Sequence, residues 1–234
     1  MPNTVVYRQA SAAEDTHHEI SPTLLALFRS IASPGHYAID VGCGRGRFTL
    51  EIAPKLAHTI GIDLGMEGIE AAQTLAEEKG IDTVSFFLAD AEQVDYSEFI
   101  TFEPYDLVTA HLCMSEAIIG RTAAALRTGG RFLFAALEDQ QWTETGAPSS
   151  FAFSEEGLRT ALENAGLRVE YLGVESEILE YETASSLESA WLNGAAPKWL
   201  NDKRREGLAQ HVKAGGNTLT VRSHLLGRAV KAAQ

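Results

Sequence analysis

The sequence predicts an α/β fold, in which a doubly wound and mostly parallel sheet is covered by helices on both faces. From residue 36 onward, short runs rich in β-branched and aromatic residues alternate with amphipathic runs of helical length. This alternation is typical of right-handed βαβ units. Breaks that contain glycine separate the runs at 33–35, 42–46 and 129–130, where turns are expected.

The elements of the first two thirds follow in order. A helix is predicted from Ser21 to Ile31, because Ser21 can cap it and Pro22 suits its first turn. After it, strand runs and helical runs alternate. The strands are HYAIDVG, HTIGID, TVSFFLAD, YDLVTAHLCM and RFLFAAL, and the helices between them are RFTLEIAPKL, MEGIEAAQTLAEEKG and EAIIGRTAAALRTGG.

The last third changes in character. SEEGLRTALENAGL reads as a helix and RVEYLGVESEILEYE as a long alternating strand. A helical insert that carries tryptophans follows, from Ser185 to about Ala214, and TLTVRSHLLGRAV is predicted as the closing strand. Two strands joined across such an insert are expected to form an antiparallel pair at the sheet edge.

Composition limits the possible partners. The formal net charge of the 234 residues is -13, and a protein this acidic is poorly suited to nucleic-acid phosphates. The chain from Lys198 to the end is basic by contrast. It is either a solvated helix face or a rim, carrying Arg204, Arg205 and Arg222, that attracts an anionic substrate.

Further exclusions concern location and metals. No apolar run reaches the roughly 20 residues of a membrane helix, and the N-terminus lacks the pattern of a signal peptide. Cys43 and Cys113 fit a reducing compartment, and neither lies in a Cys/His cluster with zinc spacing. We therefore expect a cytoplasmic protein without a structural metal.

The loop 40–46, Asp-Val-Gly-Cys-Gly-Arg-Gly, joins the first strand of the alternating region to its helix. Ligands of open α/β sheets bind beyond the carboxyl ends of strands, and helix N–H groups there suit a carboxylate. A dinucleotide would need G-x-G-x-x-G, but Arg47 stands where the third glycine is required. Asp40 would repel a pyrophosphate and can hold an ammonium group instead. A glycine turn without any ligand is the remaining alternative.

Acids also end the next two strands. Asp63 follows the loop at the spacing at which a ribose partner is expected. A carboxylate there can accept hydrogen bonds from both ribose hydroxyls. Asp90, at the end of the third strand, can accept from an exocyclic adenine amine while a neighbouring N–H meets a ring nitrogen. Together these acids favour an adenosine ligand with an ammonium group.

With these motifs the chain resembles the class I S-adenosylmethionine (SAM)-dependent methyltransferases of the small-molecule type. Residues 40–46 match the first motif of that family, Asp63 matches its ribose acid, and Asp90-Ala91-Glu92 resembles its adenine motif. Two later segments resemble the sequences that lead into strands five and six of the family. They are Leu126-Arg127-Thr128-Gly129-Gly130-Arg131 and Leu162-Glu163-Asn164-Ala165-Gly166-Leu167.

The resemblance implies a Rossmann-like seven-stranded sheet in the order 3-2-1-4-5-7-6, with strand 7 antiparallel. It implies one domain, with an N-terminal helical cap over 1–35, a SAM-binding core over 36–138 and a C-terminal part over 139–234. The insert with Trp191 and Trp199 would help to form the substrate chamber. The cofactor-binding residues that it implies are Asp40, Gly42, Cys43, Gly44, Gly46, Asp63, Leu64, Asp90, Ala91, Glu92, Ala110 and His111.

The implied activity is methyl transfer from SAM to a small-molecule acceptor, driven mainly by proximity, with S-adenosyl-L-homocysteine as product. Candidates for a general base are His111, at the end of the fourth strand, and His17 or His18 in the cap. A protein of the same fold that binds SAM without methyl transfer is one alternative. A nicotinamide-dependent oxidoreductase is another. A monomer and a homodimer are both compatible with the sequence.

Overall fold

A computed structural model describes residues 3–100, 104–193 and 197–233. The strands are β1 (Thr4–Ala10), β2 (Tyr37–Val41), β3 (His58–Asp63), β4 (Val84–Leu88), β5 (Tyr105–His111), β6 (Leu126–Leu137), β7 (Leu167–Tyr181) and β8 (Thr218–Lys231). The α-helices are α1 (Pro22–Arg29), α2 (Arg47–Ile52), α3 (Met66–Lys79), α4 (Glu116–Ala125), α5 (Glu155–Asn164), α6 (Ala184–Trp191) and α7 (Asp202–Lys213). The predicted α/β class is confirmed.

In the described residues, the strands form an eight-stranded sheet in the order β1-β7-β8-β6-β5-β2-β3-β4. The pairs from β4 to β6 are parallel. β8 is antiparallel to its neighbours. The backbone N–H of Glu138 donates to the carbonyl of Ser223. Trp142 comes later in the chain than Glu138, but its N–H donates to Thr220, which comes before Ser223 in β8. The predicted order 3-2-1-4-5-7-6 with an antiparallel last strand is confirmed for β2–β8.

The N-terminal segment departs from the prediction, because it adds an eighth strand. Thr4–Ala10 pairs in parallel with residues 175–181 of β7. The expected helical cap over 1–35 is therefore wrong for β1 and holds only for α1. The physical reason lies in Thr-Val-Val-Tyr, whose β-branched and aromatic side chains favour an extended backbone.

Helix boundaries follow the predicted local signals. The Oγ of Ser21 accepts hydrogen bonds from the N–H groups of Thr23 and Leu24, and Pro22 occupies the first turn of α1. Pro54 lies in a short 3-10 turn directly after α2, since its ring cannot continue the α-helical hydrogen bonding. Both boundaries were visible in the sequence.

The chain divides into two compact units. The glycine-loop unit comprises Ile20–Ala136, Glu156–Leu172 and the chain from Leu226 onward. It has one apolar cluster around Phe28, Phe48 and Leu133, and a second around Ile69 and Phe86. These two clusters fix the strand ends that carry the predicted ligand-binding residues.

The tryptophan unit comprises the chain up to Glu19 together with Leu137–Glu155 and Gly173–Leu225. Its core contains Trp142, Trp191 and Trp199. The rings of Trp142 and Trp199 stack with centroids 4.6 Å apart and an interplanar angle of 3°. Helices α6 and α7 lie within the predicted helical insert, with Trp191 at the end of α6, and positions 194–196 of the insert lie outside the described residues.

Candidate functional site

The glycine loop 42–46 connects β2 to α2. Two of its positions favour glycine for different structural reasons. Gly42 has a φ of +68°, and a Cβ added to it would lie 2.3 Å from the Cβ of Cys113. The backbone of the loop after β2 therefore packs directly against Cys113 in the loop after β5. Gly44 has a φ of +52°, but an added Cβ would meet nothing within 4 Å. Gly44 thus faces open space, into which a ligand can approach the backbone.

Asp40 lies on β2, immediately before the loop, and is 1% exposed. Its Oδ1 accepts a hydrogen bond from the Oγ1 of Thr109 at 2.6 Å, and its Oδ2 accepts one from the Oγ1 of Thr49 at 2.5 Å. Burial raises the pKa of Asp40 to about 6, although the two hydroxyls oppose the rise. Asp40 therefore braces β2 against α2 and β5, a role that the sequence did not suggest. Its predicted contact with an ammonium group stays a prediction.

Asp63 ends β3 and reaches back to the glycine loop. Its Oδ2 accepts the backbone N–H of Gly44 at 2.8 Å, and its Oδ1 accepts that of Gly65 at 2.7 Å. The side chain of the next residue, Leu64, is 72% exposed. The predicted ribose acid, the loop glycine and an apolar surface therefore adjoin at one edge of the sheet.

The turn after β4 holds the third predicted acid. The Oδ1 of Asp90 accepts the backbone N–H of Glu92 at 2.9 Å, which closes a local turn. Ala91 is buried, and its carbonyl accepts the hydroxyl of Tyr96 at 2.9 Å. The guanidinium of Arg121 donates to the carbonyl of Glu92 at 2.6 Å. The turn is thus fixed from both sides, and the carboxylate of Glu92 is left exposed at the surface.

The end of β5 completes this edge. Ala110 is buried and pairs with Val41, the last residue of β2. The ring of His111 stacks on that of Phe48, with centroids 5.8 Å apart. Leu112 then adopts a φ of +61°, which is uncommon for a residue with a branched side chain. Such backbone strain is concentrated at functional sites. At Leu112 it accompanies a change in chain direction directly after His111, where β5 ends.

The glycine-loop unit thus brings together most of the predicted cofactor residues at the carboxyl ends of its parallel strands, where the fold class places ligands. Cys43 and Cys113 both have thiol pKa values raised by burial, that of Cys113 to about 12. Neither thiol is activated as a nucleophile, and both are packing residues. Sequence reasoning missed Thr49 and Thr109, whose contact with Asp40 joins distant parts of the chain.

His18, the second predicted base, belongs to the tryptophan unit. Its ring is exposed and lies 3.6 Å, centroid to centroid, from the ring of His17. His17 is buried, and its Nδ1 bonds to a carboxylate oxygen of Asp15. The indole N–H of Trp199 donates to the other Asp15 oxygen at 3.1 Å. The Asp-x-His spacing was a sequence signal for this pair. A catalytic role for His18 stays a prediction.

The three arginines that suggested an anionic substrate are engaged within the tryptophan unit. Arg204 donates to the carbonyls of Ala147 and Trp199, and its guanidinium lies 4.4 Å from the ring centroid of Trp142. Arg205 donates to the carbonyl of Leu192, and Arg222 forms ion pairs with Glu19 and Glu177. Each cation therefore has a structural role in its own unit.

Among residues 3–100, 104–193 and 197–233, no group of three or more His, Cys, Asp or Glu side chains is placed to hold a metal ion. Within the same ranges, no helix is both long enough and apolar enough to cross a lipid bilayer.

Comparison with known proteins extends these observations. A family model described as a methyltransferase domain matches residues 32–167. The "Uncharacterized methyltransferase YcgJ" of Bacillus subtilis (strain 168) is 29% identical over 103 residues, which are 42% of this chain and 39% of that protein. A "Ubiquinone biosynthesis O-methyltransferase" of Hahella chejuensis is 28% identical over 151 residues, 62% of this chain and 59% of that protein. The chain thus spans less than two thirds of the length of each of these relatives, 39% of the first and 59% of the second.

Solved structures agree on the fold. The crystal structure of YcgJ superposes with a TM-score of 0.69 at 17% identity, and the match covers 91% of this chain and 99% of that one. The [4+2]-cyclase SpnF superposes with a TM-score of 0.61 at 18% identity, covering 96% and 90% of the two chains. At such identities the likeness concerns the fold alone.

Proposed function

The chain belongs to the methyltransferase-domain family, and from this premise we propose that it transfers the methyl group of SAM to a small-molecule acceptor and releases S-adenosyl-L-homocysteine. One observation carries the proposal: the carboxylate of Asp63 bonds directly to the backbone of Gly44 in the glycine loop. A single ligand bound beside this hydrogen bond can contact both the carboxylate of Asp63 and the backbone of Gly44. The matching family model supports the same assignment.

The residues at this edge fit SAM in their chemistry. The open side of Gly44 admits the methionine part close to the backbone, and the first turn of α2, which no side chain caps, suits its carboxylate. Asp63 accepts hydrogen bonds from ribose hydroxyls, and exposed Leu64 covers the adenine face. The turn at Asp90 and Ala91 meets the adenine edge. The remaining residues that we propose for the cofactor are Asp40, Gly42, Cys43, Gly46, Glu92, Ala110 and His111.

Catalysis rests mainly on geometry. Bound SAM supplies a methyl group on a sulfonium, which is a good leaving group. The protein holds the acceptor in line and excludes water, which can contribute several kcal/mol. His111, at the end of β5 with its ring against Phe48, either orients the methionine part or accepts a proton from a hydroxyl acceptor.

The acceptor that we propose is a small molecule. The net charge of -13 disfavours nucleic acid. A relative named for an O-methylation in ubiquinone biosynthesis supports a small acceptor. Because Arg204, Arg205 and Arg222 already have partners in their own unit, recognition of an anionic group is not assigned to them.

Ligand binding tests the cofactor first. We expect SAM and S-adenosyl-L-homocysteine to raise the melting temperature of the full chain, and NAD to leave it unchanged. The matched variants are Asp63→Ala, which should reduce the shift at a fixed SAM concentration, and Asp82→Ala, which replaces an exposed acid before β4 and should preserve it. Stabilisation by NAD but not by SAM would show an oxidoreductase and overturn the proposal.

Methyl transfer is tested next, with SAM labelled in its methyl group and a panel of small hydroxyl, amine and carbon acceptors. Formation of S-adenosyl-L-homocysteine together with a labelled product supports the proposal. Tight SAM binding without turnover on any acceptor favours a SAM-binding protein with another role. If His111→Asn keeps both SAM affinity and turnover, His111 is neither a base nor a positioning residue.

A further inference from the structure

In the part of the chain that the structure describes, no strand pairs with the outer edge of β1. β1 stands at the end of the strand order and pairs with β7 on one side. Val5, Val6 and Tyr7 are 50%, 47% and 65% exposed. Since successive side chains of a strand point to opposite faces, this edge exposes apolar surface on both faces.

Natural proteins usually protect such an edge with lysine, proline or a bulge, because its free N–H and C=O groups can pair with another strand. β1 contains neither lysine nor proline. Its pairing with β7 runs residue by residue from Thr4 to Ala10, without a shift of register. The strand is therefore regular and ready to accept a further strand.

The acids beside this edge have hydrogen-bond partners on β1. Arg8 donates to Glu177 at 2.8 Å and is paired with Glu14 as well. The amide of Gln9 donates to Glu180 at 2.7 Å. Although the whole chain is strongly acidic, Arg8 of β1 offsets part of the negative charge of these acids, which reduces the repulsion between two copies at this edge.

We infer that β1 pairs with β1 of a second copy of this chain, antiparallel across a two-fold axis at Val6. In this register Tyr7 lies opposite the partner's Val5, Val6 lies opposite the partner's Val6, and Thr4 lies opposite the partner's Arg8. Directly opposed residues share a face, and aromatic and β-branched pairs stabilise neighbouring strands. All three exposed apolar side chains of each copy are covered together.

The neighbouring register is less favourable. An axis at Tyr7 would place Val6 opposite the partner's Arg8 and Val5 opposite the partner's Gln9, so two apolar side chains would face polar ones. A strand from an unrelated protein would have to match both faces by its own sequence, whereas a second copy supplies the match by symmetry. Two-fold dimers are also the commonest homo-oligomers.

The oligomeric state of the full chain tests the inference. Sedimentation velocity and light scattering over the micromolar range should give twice the chain mass. Val6→Lys places two ammonium groups opposite each other and should raise the dimer dissociation constant at least tenfold. Phe151→Lys changes another exposed apolar residue of the same unit, 67% exposed, and should leave the dimer intact. A monomeric wild type, or a dimer that Val6→Lys does not weaken, overturns the inference.

Disulfide trapping tests the register. Val6→Cys should form an intermolecular disulfide on mild oxidation, because the Cα atoms of opposed antiparallel residues lie within disulfide range. Val5→Cys and Tyr7→Cys should each trap little dimer alone but trap it when the two variants are mixed. These substitutions are on an exposed edge, so circular dichroism should report an unchanged fold. Efficient trapping of Tyr7→Cys alone would contradict the Val6 axis.

Discussion

The carboxylate of Asp63 accepts the backbone N–H of Gly44 at 2.8 Å, which joins the end of β3 to the glycine loop after β2. Because the other carboxylate oxygen accepts the N–H of Gly65, the acid also fixes the segment before α3. One side chain therefore sets the spacing between the two loops along which we place the ligand. Its removal should affect binding more than folding.

The first prediction concerns this acid. Asp63→Ala should weaken SAM binding by about 10- to 100-fold, since a charge-assisted hydrogen bond contributes on the order of 1.5–3 kcal/mol. Isothermal titration calorimetry measures the affinity, with Asp82→Ala as the matched exposed acid. An unchanged dissociation constant in Asp63→Ala would remove Asp63 from the proposed site.

The second prediction contrasts two loop glycines that both have positive φ. Gly42→Ala places a methyl group against Cys113, so it should lower the free energy of unfolding by several kcal/mol through overpacking and strain. Gly44→Ala carries only the backbone strain, on the order of 1–2 kcal/mol, but its methyl group enters the open ligand side. Urea unfolding and SAM titration should therefore rank the two variants in opposite orders. Equal effects on unfolding would refute the close approach at Gly42.

The sequence could predict features that a short segment determines. The glycine loop, Asp63 and the capping of α1 by Ser21 are of this kind, because their partners are local or part of a contiguous motif. It could not predict the hydroxyl of Thr109 on Asp40, which joins two strands far apart in the chain. β1 was missed for the same reason, since its partner β7 lies at the other end of the sequence.

The third prediction concerns Asp40. Burial raises its pKa to about 6, above the value near 3.9 expected in the unfolded chain. Between these values the folded protein binds more protons, so lower pH favours the folded state through this group. Relative to Asp40→Asn, the wild type should gain about 2 kcal/mol of unfolding free energy from pH 7 to pH 4. A pH-independent difference for Asp40→Asn would contradict the raised pKa.

The fourth prediction has the opposite sign and concerns Glu177 of the tryptophan unit. Burial alone would raise its pKa, but hydrogen bonds from Thr16 and Arg8 and the charge of Arg222 outweigh burial and lower it. A carboxylate with a lowered pKa stabilises the fold above its unfolded pKa, and this stabilisation is lost as pH falls through the folded value. Glu177→Gln should therefore cost on the order of 1.5–3 kcal/mol at pH 7, because Arg8 and Arg222 each lose one of their two carboxylate partners.

The cost of Glu177→Gln should shrink as the pH falls through the lowered pKa of Glu177, where the wild-type carboxylate takes up its proton. Urea unfolding at pH 7, 5 and 3.5 measures this, with Glu182→Gln, an exposed acid just after β7, as the control. Asp40 and Glu177 are both buried acids, so burial alone predicts the same trend for both variants. Opposite trends would show that the partners of each carboxylate decide the direction of its pKa shift. These partners are two hydroxyls for Asp40, and two guanidinium groups with a hydroxyl for Glu177.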